Sequence, residues 1–181
     1  MAKSNWYVHP LRVRYQETDQ MGVVYHANYL NLFEIGRTEL IRELGMTYRE
    51  LEAAGLFLPV LEANVKFRQP AKYDDLILIH TRIADFSSVR IDFESQIRRW
   101  EGDTETKTRD LPPELLSPTA EPQGDLLVSG GTMHMWLNRD WKPARIDKAA
   151  PALLSLLKAA VTEEDEVDCN RGIPARPKKI L

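Results

Sequence analysis

The sequence predicts an α+β domain in which an antiparallel sheet packs against one main helix. The predicted elements run strand, helix and then four strands, without the repeated strand–helix alternation that builds a parallel sheet. The chain has 181 residues, 43% of them hydrophobic and 28% charged, which suits one soluble globular domain with little left for a second. We assign this domain to residues 1–162.

The first half of the chain predicts a strand followed by the main helix. Residues 7–15 alternate between apolar and mostly polar side chains, which indicates the first strand. Over residues 28–45 the apolar positions recur every three or four residues, as on an amphipathic helix. Gly45 suits the end of that helix, because glycine adopts a left-handed conformation easily. Residues 47–54 predict a second, short helix that Gly55 closes.

The second half predicts four more strands, at 61–67, 75–84, 89–100 and 126–137, and a short helix at 147–160. Segment 75–84 is apolar on both faces, which is typical of a central strand. Residues 101–124 are polar and contain four prolines, so we interpret them as a loop inserted between the last two strands. This insertion could cover a pocket, extend a contact between subunits or have no role, and three of its leucines favour a contact: Leu111, Leu115 and Leu116. Residues 163–181 predict a flexible tail.

Composition argues against several classes of function. The 24 Lys and Arg against 27 Asp and Glu give a formal charge of −3, which does not indicate a basic surface for nucleic acid. No apolar run approaches the ~20 residues that cross a bilayer, so we expect no membrane insertion. The N-terminal residues lack the apolar stretch of a signal peptide, so we expect a cytoplasmic protein. Cys169 is the only cysteine, and His80 and His134 stand alone in predicted strands, so we expect neither a disulfide nor a metal site.

The loop before the main helix, residues 15–30, holds an unusual set of reactive side chains. It contains two carboxylates, Glu17 and Asp19, together with Gly22, His26 and several tyrosines. The first turn of a helix has unpaired backbone N–H groups that could hold an oxyanion, and a carboxylate nearby could attack a carbonyl carbon or activate water. By these patterns alone, helix capping and simple packing explain the loop equally well.

The loop also contains a long ordered motif, Tyr15-x-x-x-Asp19-x-x-Gly22-Val23-Val24-Tyr25-His26-x-x-Tyr29. It continues as Phe33-Glu34-x-x-Arg37-Thr38-Glu39 and resumes as Phe67-Arg68-Gln69-Pro70-Ala71-Lys72-Tyr73-Asp74-Asp75. These motifs resemble those of the hotdog-fold acyl-CoA thioesterases. The subgroup they resemble is that of 4-hydroxybenzoyl-CoA thioesterase and the Tol-Pal-associated short-chain acyl-CoA thioesterases. The resemblance covers residues 7–100 and 126–146.

The resemblance implies a fold, a reaction and an assembly. The fold is a curved antiparallel sheet wrapped around one long helix, and the reaction is hydrolysis of acyl-CoA to a free acid and coenzyme A without a cofactor. The assembly is a homodimer or homotetramer with the active site at the dimer interface. Asp19 takes the place of the catalytic carboxylate, as nucleophile or general base. Tyr15 and His26 take the family's other site positions, with the backbone N–H of His26 polarising the thioester carbonyl.

Further residues are candidates for substrate binding: Gly22, Val23, Tyr25, Asn28, Lys66 and Arg68. The two basic residues could pair with the phosphates of coenzyme A, as could Lys72 and Arg90. We interpret Glu17 as structural and Glu34 with Arg37 as an intrahelical ion pair. Glu34 and Glu39 are the alternative catalytic carboxylates, because some hotdog enzymes place that residue on the main helix.

Two other functions fit the same motifs. A hotdog dehydratase would pair His26 with a carboxylate of the helix and remove water from a hydroxyacyl thioester. A non-catalytic acyl-CoA-binding protein would bind the ligand without turnover, since a fold does not fix a function. The acyl chain, and the choice between CoA and acyl-carrier protein as the carrier, stay open.

Overall fold

The computed structural model describes residues 3–103 and 105–167 as a five-stranded antiparallel sheet with helices. The strands are β1 (Tyr7–Arg12), β2 (Val60–Phe67), β3 (Leu76–Phe86), β4 (Arg90–Arg99) and β5 (Asp125–Met135). The helices are α1 (Asn28–Glu43), α2 (Tyr48–Ala53), α3 (Pro113–Leu116), α4 (Ile146–Ala149) and α5 (Pro151–Val167), and two 3₁₀ turns cover Tyr15–Glu17 and Thr108–Asp110. The spatial order of the strands is β1-β3-β4-β5-β2. This arrangement confirms the predicted α+β class with one main helix on an antiparallel sheet.

Helix α1 lies against one face of the sheet and contacts β1, β3, β4 and β5. A glycine allows the close approach: a Cβ atom at Gly36 would lie 2.2 Å from Thr81 Oγ1 and 2.7 Å from Ile79 Cγ2. The helix ends as predicted, with Gly45 in the left-handed region at φ 95°. Gly36 therefore lets α1 lie close to β3.

The apolar faces of β3 are covered from two sides. Ile77 and Ile79 point toward α1, while Leu76 and Leu78 point the other way and pack against two leucines of the insertion, Leu111 and Leu115. The strand is interior as predicted, between β1 and β4, although β4 holds the middle position of the sheet. The insertion thus contacts the sheet face opposite α1, which explains why this strand is apolar on both sides.

Several predicted boundaries differ from the structure. Strand β1 ends at Arg12 instead of continuing to Tyr15, because the chain turns into a 3₁₀ helix there, with the Arg14 backbone N–H bonded to the Glu17 carboxylate at 2.7 Å. The C-terminal helix is divided before Pro151, since proline lacks an N–H but suits the first turn of a new helix. Helix α5 continues to Val167, into the segment predicted as a tail, and residues 168–181 with Cys169 lie outside the described residues.

The two edges of the sheet differ in their surroundings. At the β1 edge, Trp6 exchanges backbone hydrogen bonds of 2.8 and 3.0 Å with Thr119 of the insertion, and Arg12 donates to the Thr106 carbonyl at 2.6 Å. Along a strand, the backbone N–H groups of residues two positions apart point to the same side. Like Trp6, Pro10 therefore faces this edge, and it offers no N–H there for pairing with another strand. We call it the closed edge. Strand β2 is exposed along nearly its whole length, and we call it the open edge.

Candidate active site

Asp19 lies in a tight hairpin that runs from Thr18 to Val24. Its N–H donates to the Val23 carbonyl and its carbonyl accepts from the Gly22 N–H, both at 2.9 Å. Gly22 has φ 75°, a left-handed conformation that favours glycine. The Asp19 Oδ1 atom accepts the Met21 N–H at 2.8 Å, whereas Oδ2 accepts no hydrogen bond from the residues that the structure describes. The backbone therefore orients the carboxylate and leaves one oxygen available for chemistry.

The hairpin is attached to the segment that links β2 and β3. The Val24 N–H donates to the Ala71 carbonyl at 2.8 Å, and Val23 forms an isolated bridge with Lys72. The Ala71 N–H in turn donates to the hydroxyl oxygen of Tyr29 at 3.1 Å. Burial raises the pKa of Tyr29, which keeps its phenol protonated. Tyr29 of α1 thus connects the helix, the hairpin and the segment after β2.

A second set of contacts fixes the beginning of α1. The Glu17 carbonyl accepts both the Tyr25 N–H at 2.9 Å and the Asn28 side-chain amide at 2.8 Å. The buried Glu17 carboxylate is held by the backbone and guanidinium of Arg14, in agreement with the structural role predicted for it. In the described part of the chain the backbone N–H groups of His26 and Ala27 have no acceptor. Two donors therefore remain unpaired just before α1, where the helix dipole favours negative charge.

Asp19 and His26 line one cavity of about 270 Å³ near the end of β2. Its walls are Asp19, Met21, Val23, Val24, His26, Tyr29, Phe67, Arg68, Gln69 and Pro70. Four of the predicted site residues meet here: Asp19, Val23, His26 and Arg68. Arg68 is exposed and forms no ion pair with another described residue, so its guanidinium is free to pair with an anion. The cavity combines a carboxylate, a histidine whose backbone N–H is unpaired and a cation on an otherwise mainly apolar wall.

The other predicted site residues do not line this cavity within one chain. Tyr15 is 79% exposed with its ring against Tyr73, and the Tyr25 ring packs on His26. Gly22 and Asn28 act through the backbone contacts described above. Lys66 lies on the sheet face opposite α1, because side chains alternate along a strand and the neighbouring Phe67 points to the cavity.

The alternative carboxylates lie elsewhere. Glu34 is exposed and forms the predicted ion pair with Arg37 at 3.9 Å, and Glu39 is bonded to Arg42. Neither of them shares the cavity of His26, which is the arrangement that a dehydratase would need. Among the side chains of residues 3–103 and 105–161, no group of three His, Cys, Asp or Glu is placed to hold a metal ion. Across residues 3–103 and 105–167, no helix combines the length and the apolar character needed to span a bilayer.

Several wall residues were not singled out as site residues from the sequence. They are Met21, Val24, Tyr29, Phe67, Gln69 and Pro70. The sequence pattern places Tyr29 in the apolar stripe of the helix and marks the run from Phe67 to Pro70 only as part of a shared motif. The signal that could identify these wall residues is the second part of the motif, which begins at Phe67. Two separated segments that share one family motif often meet at one site.

The chain resembles proteins of several bacteria. The profile of the thioesterase-like superfamily matches residues 13–154. A putative acyl-CoA thioesterase of Bacillus subtilis, YneP, is 32% identical over 142 residues, which cover 78% of this chain and 87% of the relative. The acyl-CoA thioesterase YbgC of Haemophilus influenzae is 38% identical over 96 residues, which cover 52% of this chain and 71% of the relative.

A solved structure has the same architecture. The DHNA-CoA thioesterase of Staphylococcus aureus superposes with a TM-score of 0.73 and 25% sequence identity, over 90% of this chain and 95% of that one. The hotdog fold implied by the motifs is thereby confirmed.

Proposed function

The chain belongs to the thioesterase-like superfamily, and we propose that it hydrolyses acyl-CoA thioesters in the cavity of Asp19. The observation that carries the proposal is one juxtaposition. Asp19, which has one carboxylate oxygen available, and His26, whose backbone N–H is unpaired, line the same cavity. A carbonyl between them would have an attacking group on one side and an oxyanion site on the other. As a finer proposal, the motif of Tyr15 to Tyr29 supports the subgroup of 4-hydroxybenzoyl-CoA and Tol-Pal-associated thioesterases.

The reaction follows from these groups. The Asp19 carboxylate either attacks the thioester carbonyl carbon or removes a proton from a water molecule that does so. Negative charge then moves to the carbonyl oxygen, which the N–H groups of His26 and Ala27 stabilise. The C–S bond breaks, and the thiolate of coenzyme A leaves and takes up a proton. In the general-base route water supplies the second oxygen of the free acid. In direct attack an Asp19–acyl anhydride forms, and water hydrolyses it to the free acid and the restored Asp19 carboxylate. A thioester carbonyl is a good electrophile with a good leaving group, so no metal or organic cofactor is required.

The open edge of the sheet supports a homodimer. Val60 and Leu61 are each 49% exposed and Phe67 is 55% exposed, which is unfavourable for an edge strand in water. The closed edge is occupied by the insertion and blocked by Pro10. We propose that two copies of β2 pair antiparallel across a two-fold axis, so that each Asp19 cavity lies at the subunit interface. A tetramer of two such dimers stays an expectation.

The test is thiol release from acyl-CoA substrates of increasing chain length. We expect Asp19→Asn to lower kcat by roughly 10² to 10⁴-fold, the usual contribution of a catalytic carboxylate, with unchanged thermal unfolding. The matched control is Glu34→Gln, which removes an exposed carboxylate of α1 and should leave kcat unchanged. The reverse outcome, a loss with Glu34→Gln and none with Asp19→Asn, would contradict the proposal, and an enoyl product from a hydroxyacyl thioester would identify a dehydratase.

A second measurement separates the two roles of Asp19. After turnover in ¹⁸O-labelled water, direct attack by Asp19 followed by hydrolysis of the anhydride at the aspartyl carbon leaves label in the Asp19 carboxylate. General-base catalysis places the label only in the product acid. Mass spectrometry of the peptide that contains Asp19 distinguishes the two outcomes.

A further inference from the structure

The turn after β5 carries an exposed tryptophan in an uncommon conformation. Trp141 is 71% exposed and has φ 58°, in the left-handed region that bulky side chains rarely adopt. The side-chain oxygen of Asn138 holds the turn by accepting the N–H groups of Asp140 and Lys142, each at 3.0 Å. An aromatic residue kept in this conformation and directed to solvent indicates a function for the ring.

One face of the Trp141 ring is supported, and its turn carries two cations, Arg139 and Lys142, beside one carboxylate, Asp140. The ring stacks on Phe57 with centroids 6.4 Å apart and an angle of 22° between the planes. The exposed Arg139 is anchored by a hydrogen bond of 3.2 Å to the Ala53 carbonyl, and Lys142 forms no side-chain ion pair with any described residue. A flat aromatic surface beside cations suits a nucleotide, whose base stacks while its phosphates pair with Arg and Lys.

The proposed dimer determines which Asp19 cavity lies nearer to the Trp141 turn. Phe57 and Leu137 are bridged just before β2 begins, so Trp141 lies near the Val60 end of that strand. The Asp19 cavity lies at the other end, at Phe67, which for an eight-residue strand is roughly 23 Å away. When two copies of β2 pair antiparallel, the Val60 end of one subunit lies beside the Phe67 end of its partner. Trp141 of one subunit is then nearer to the other subunit's cavity than to its own.

We propose that the Trp141 turn of one subunit binds the adenine nucleotide of the coenzyme A whose thioester lies in the Asp19 cavity of the other subunit. Trp141 stacks on the adenine, and Lys142 and Arg139 pair with the phosphates. The proposal rests on the function and the β2 dimer proposed above, and it assigns CoA as the carrier. A substrate without a nucleotide would gain nothing from this turn.

The first experiment compares two carriers of one acyl group, CoA and pantetheine without the nucleotide. We expect Trp141→Ala to raise KM for the acyl-CoA by roughly 5- to 150-fold, the range for loss of one base–aromatic stack, and to leave KM for the acyl-pantetheine unchanged. The matched control, Trp141→Phe, keeps an aromatic face and should retain most of the affinity. An equal change for both carriers, or no change for either, overturns the proposal.

The second experiment tests the subunit assignment with heterodimers of Asp19→Asn and Trp141→Ala chains. The two chains are co-expressed with different tags, purified in tandem and verified by mass. If the turn acts across the interface, one of the two sites in each heterodimer has both residues intact and turns over acyl-CoA with the KM of the original protein. If it acts within one chain, or if the active protein is a monomer, no site with that KM forms and the proposal is wrong. Full activity of the Asp19→Asn homodimer would instead reject the proposed function.

Discussion

The two edges of the sheet differ in their contribution: the closed edge carries packing contacts, and the open edge carries the candidate functional features. At the closed edge the insertion bonds to both ends of β1, and its leucines bury the outer face of β3. At the open edge β2 is left exposed, and the Asp19 cavity and the Trp141 turn lie at its two ends. A sheet with both edges open would have two surfaces for pairing, which favours uncontrolled association. Closing one edge leaves a single edge available for a defined partner.

The largest expected effect comes from a charge at the middle of the open edge. Ala63→Lys places equivalent cations opposite each other where two copies of β2 would pair, which is destabilising. We expect monomers, and a loss of turnover of roughly 10³-fold or more because positioning and partner contacts disappear together. Analytical ultracentrifugation and specific activity at several protein concentrations measure both effects.

The control for this variant lies near the closed edge. Glu121→Lys changes an exposed residue of the insertion and should alter neither the assembly nor the activity. A dimeric, active Ala63→Lys variant would place the interface elsewhere.

The next effect concerns the insertion itself. Leu115 is 4% exposed against the outer face of β3, so Leu115→Ala should lower the free energy of unfolding by about 2 to 3 kcal/mol. Leu116, at 36% exposure, is the matched control, and Leu116→Ala should change that free energy by less than about 0.5 kcal/mol. Urea unfolding measures both, and kcat should stay constant. Equal losses from the two variants would mean that the insertion does not pack as described.

A pH-dependent effect is expected beneath the insertion. His80 is fully buried, its Nε2 atom lies 3.1 Å from the Gln123 carbonyl, and burial lowers its pKa to about 4. In the unfolded chain its pKa is near 6.5, so between these values the unfolded state binds more protons and stability falls as the pH decreases. We expect this group to cost about 2 kcal/mol of stability between pH 7 and pH 5.

The variant that isolates this contribution is His80→Gln, whose amide can still donate to Gln123. Unfolding free energies at a series of pH values should decrease less steeply toward pH 5 than in the original protein. Some dependence should remain, because burial also lowers the pKa of His134 to about 4. An unchanged slope would show that His80 does not titrate with unfolding.

The smallest effect returns to the catalytic side. Asn28→Ala removes the hydrogen bond to the Glu17 carbonyl, so the N–H groups of His26 and Ala27 are oriented less strictly. We expect kcat to fall about ten-fold, equivalent to about 1.4 kcal/mol, with little change in KM. Glu34→Gln changes an exposed side chain of the same helix whose ion pair is with Arg37, and it is the control. A change in KM alone would assign Asn28 to substrate binding.

Most of the fold could be predicted because its signals are local. The change from two-residue to three- or four-residue periodicity after Tyr15 located α1, and the alternation of Leu61, Ala63, Val65 and Phe67 placed these side chains on one face of β2. The errors lie at element boundaries, where one specific residue or contact ends an element that the hydrophobic periodicity alone would continue. The Glu17 carboxylate bonds back to Arg14 and ends β1 early, and Pro151 divides the last helix.

The candidate site was predicted in part. Asp19, Val23 and His26 lie within one short motif, so their proximity is a local property. Arg68 and Lys66 are two residues apart with the same charge, and the sequence did not distinguish them. The structure does, because Lys66 belongs to β2 and points away, while Arg68 follows the end of the strand and lines the cavity.

The sequence by itself determined the α+β class, the main elements and the segment that contributes most to the candidate site, because periodicity, capping and motifs depend on neighbouring residues. Only the tertiary structure decided which edge of the sheet stays open and where the insertion packs. It also decided that Tyr29 meets Ala71, 42 positions further along the chain, and that Trp141 stacks on Phe57. These contacts join distant segments, and their geometry depends on the packing of the whole domain, which no local pattern records.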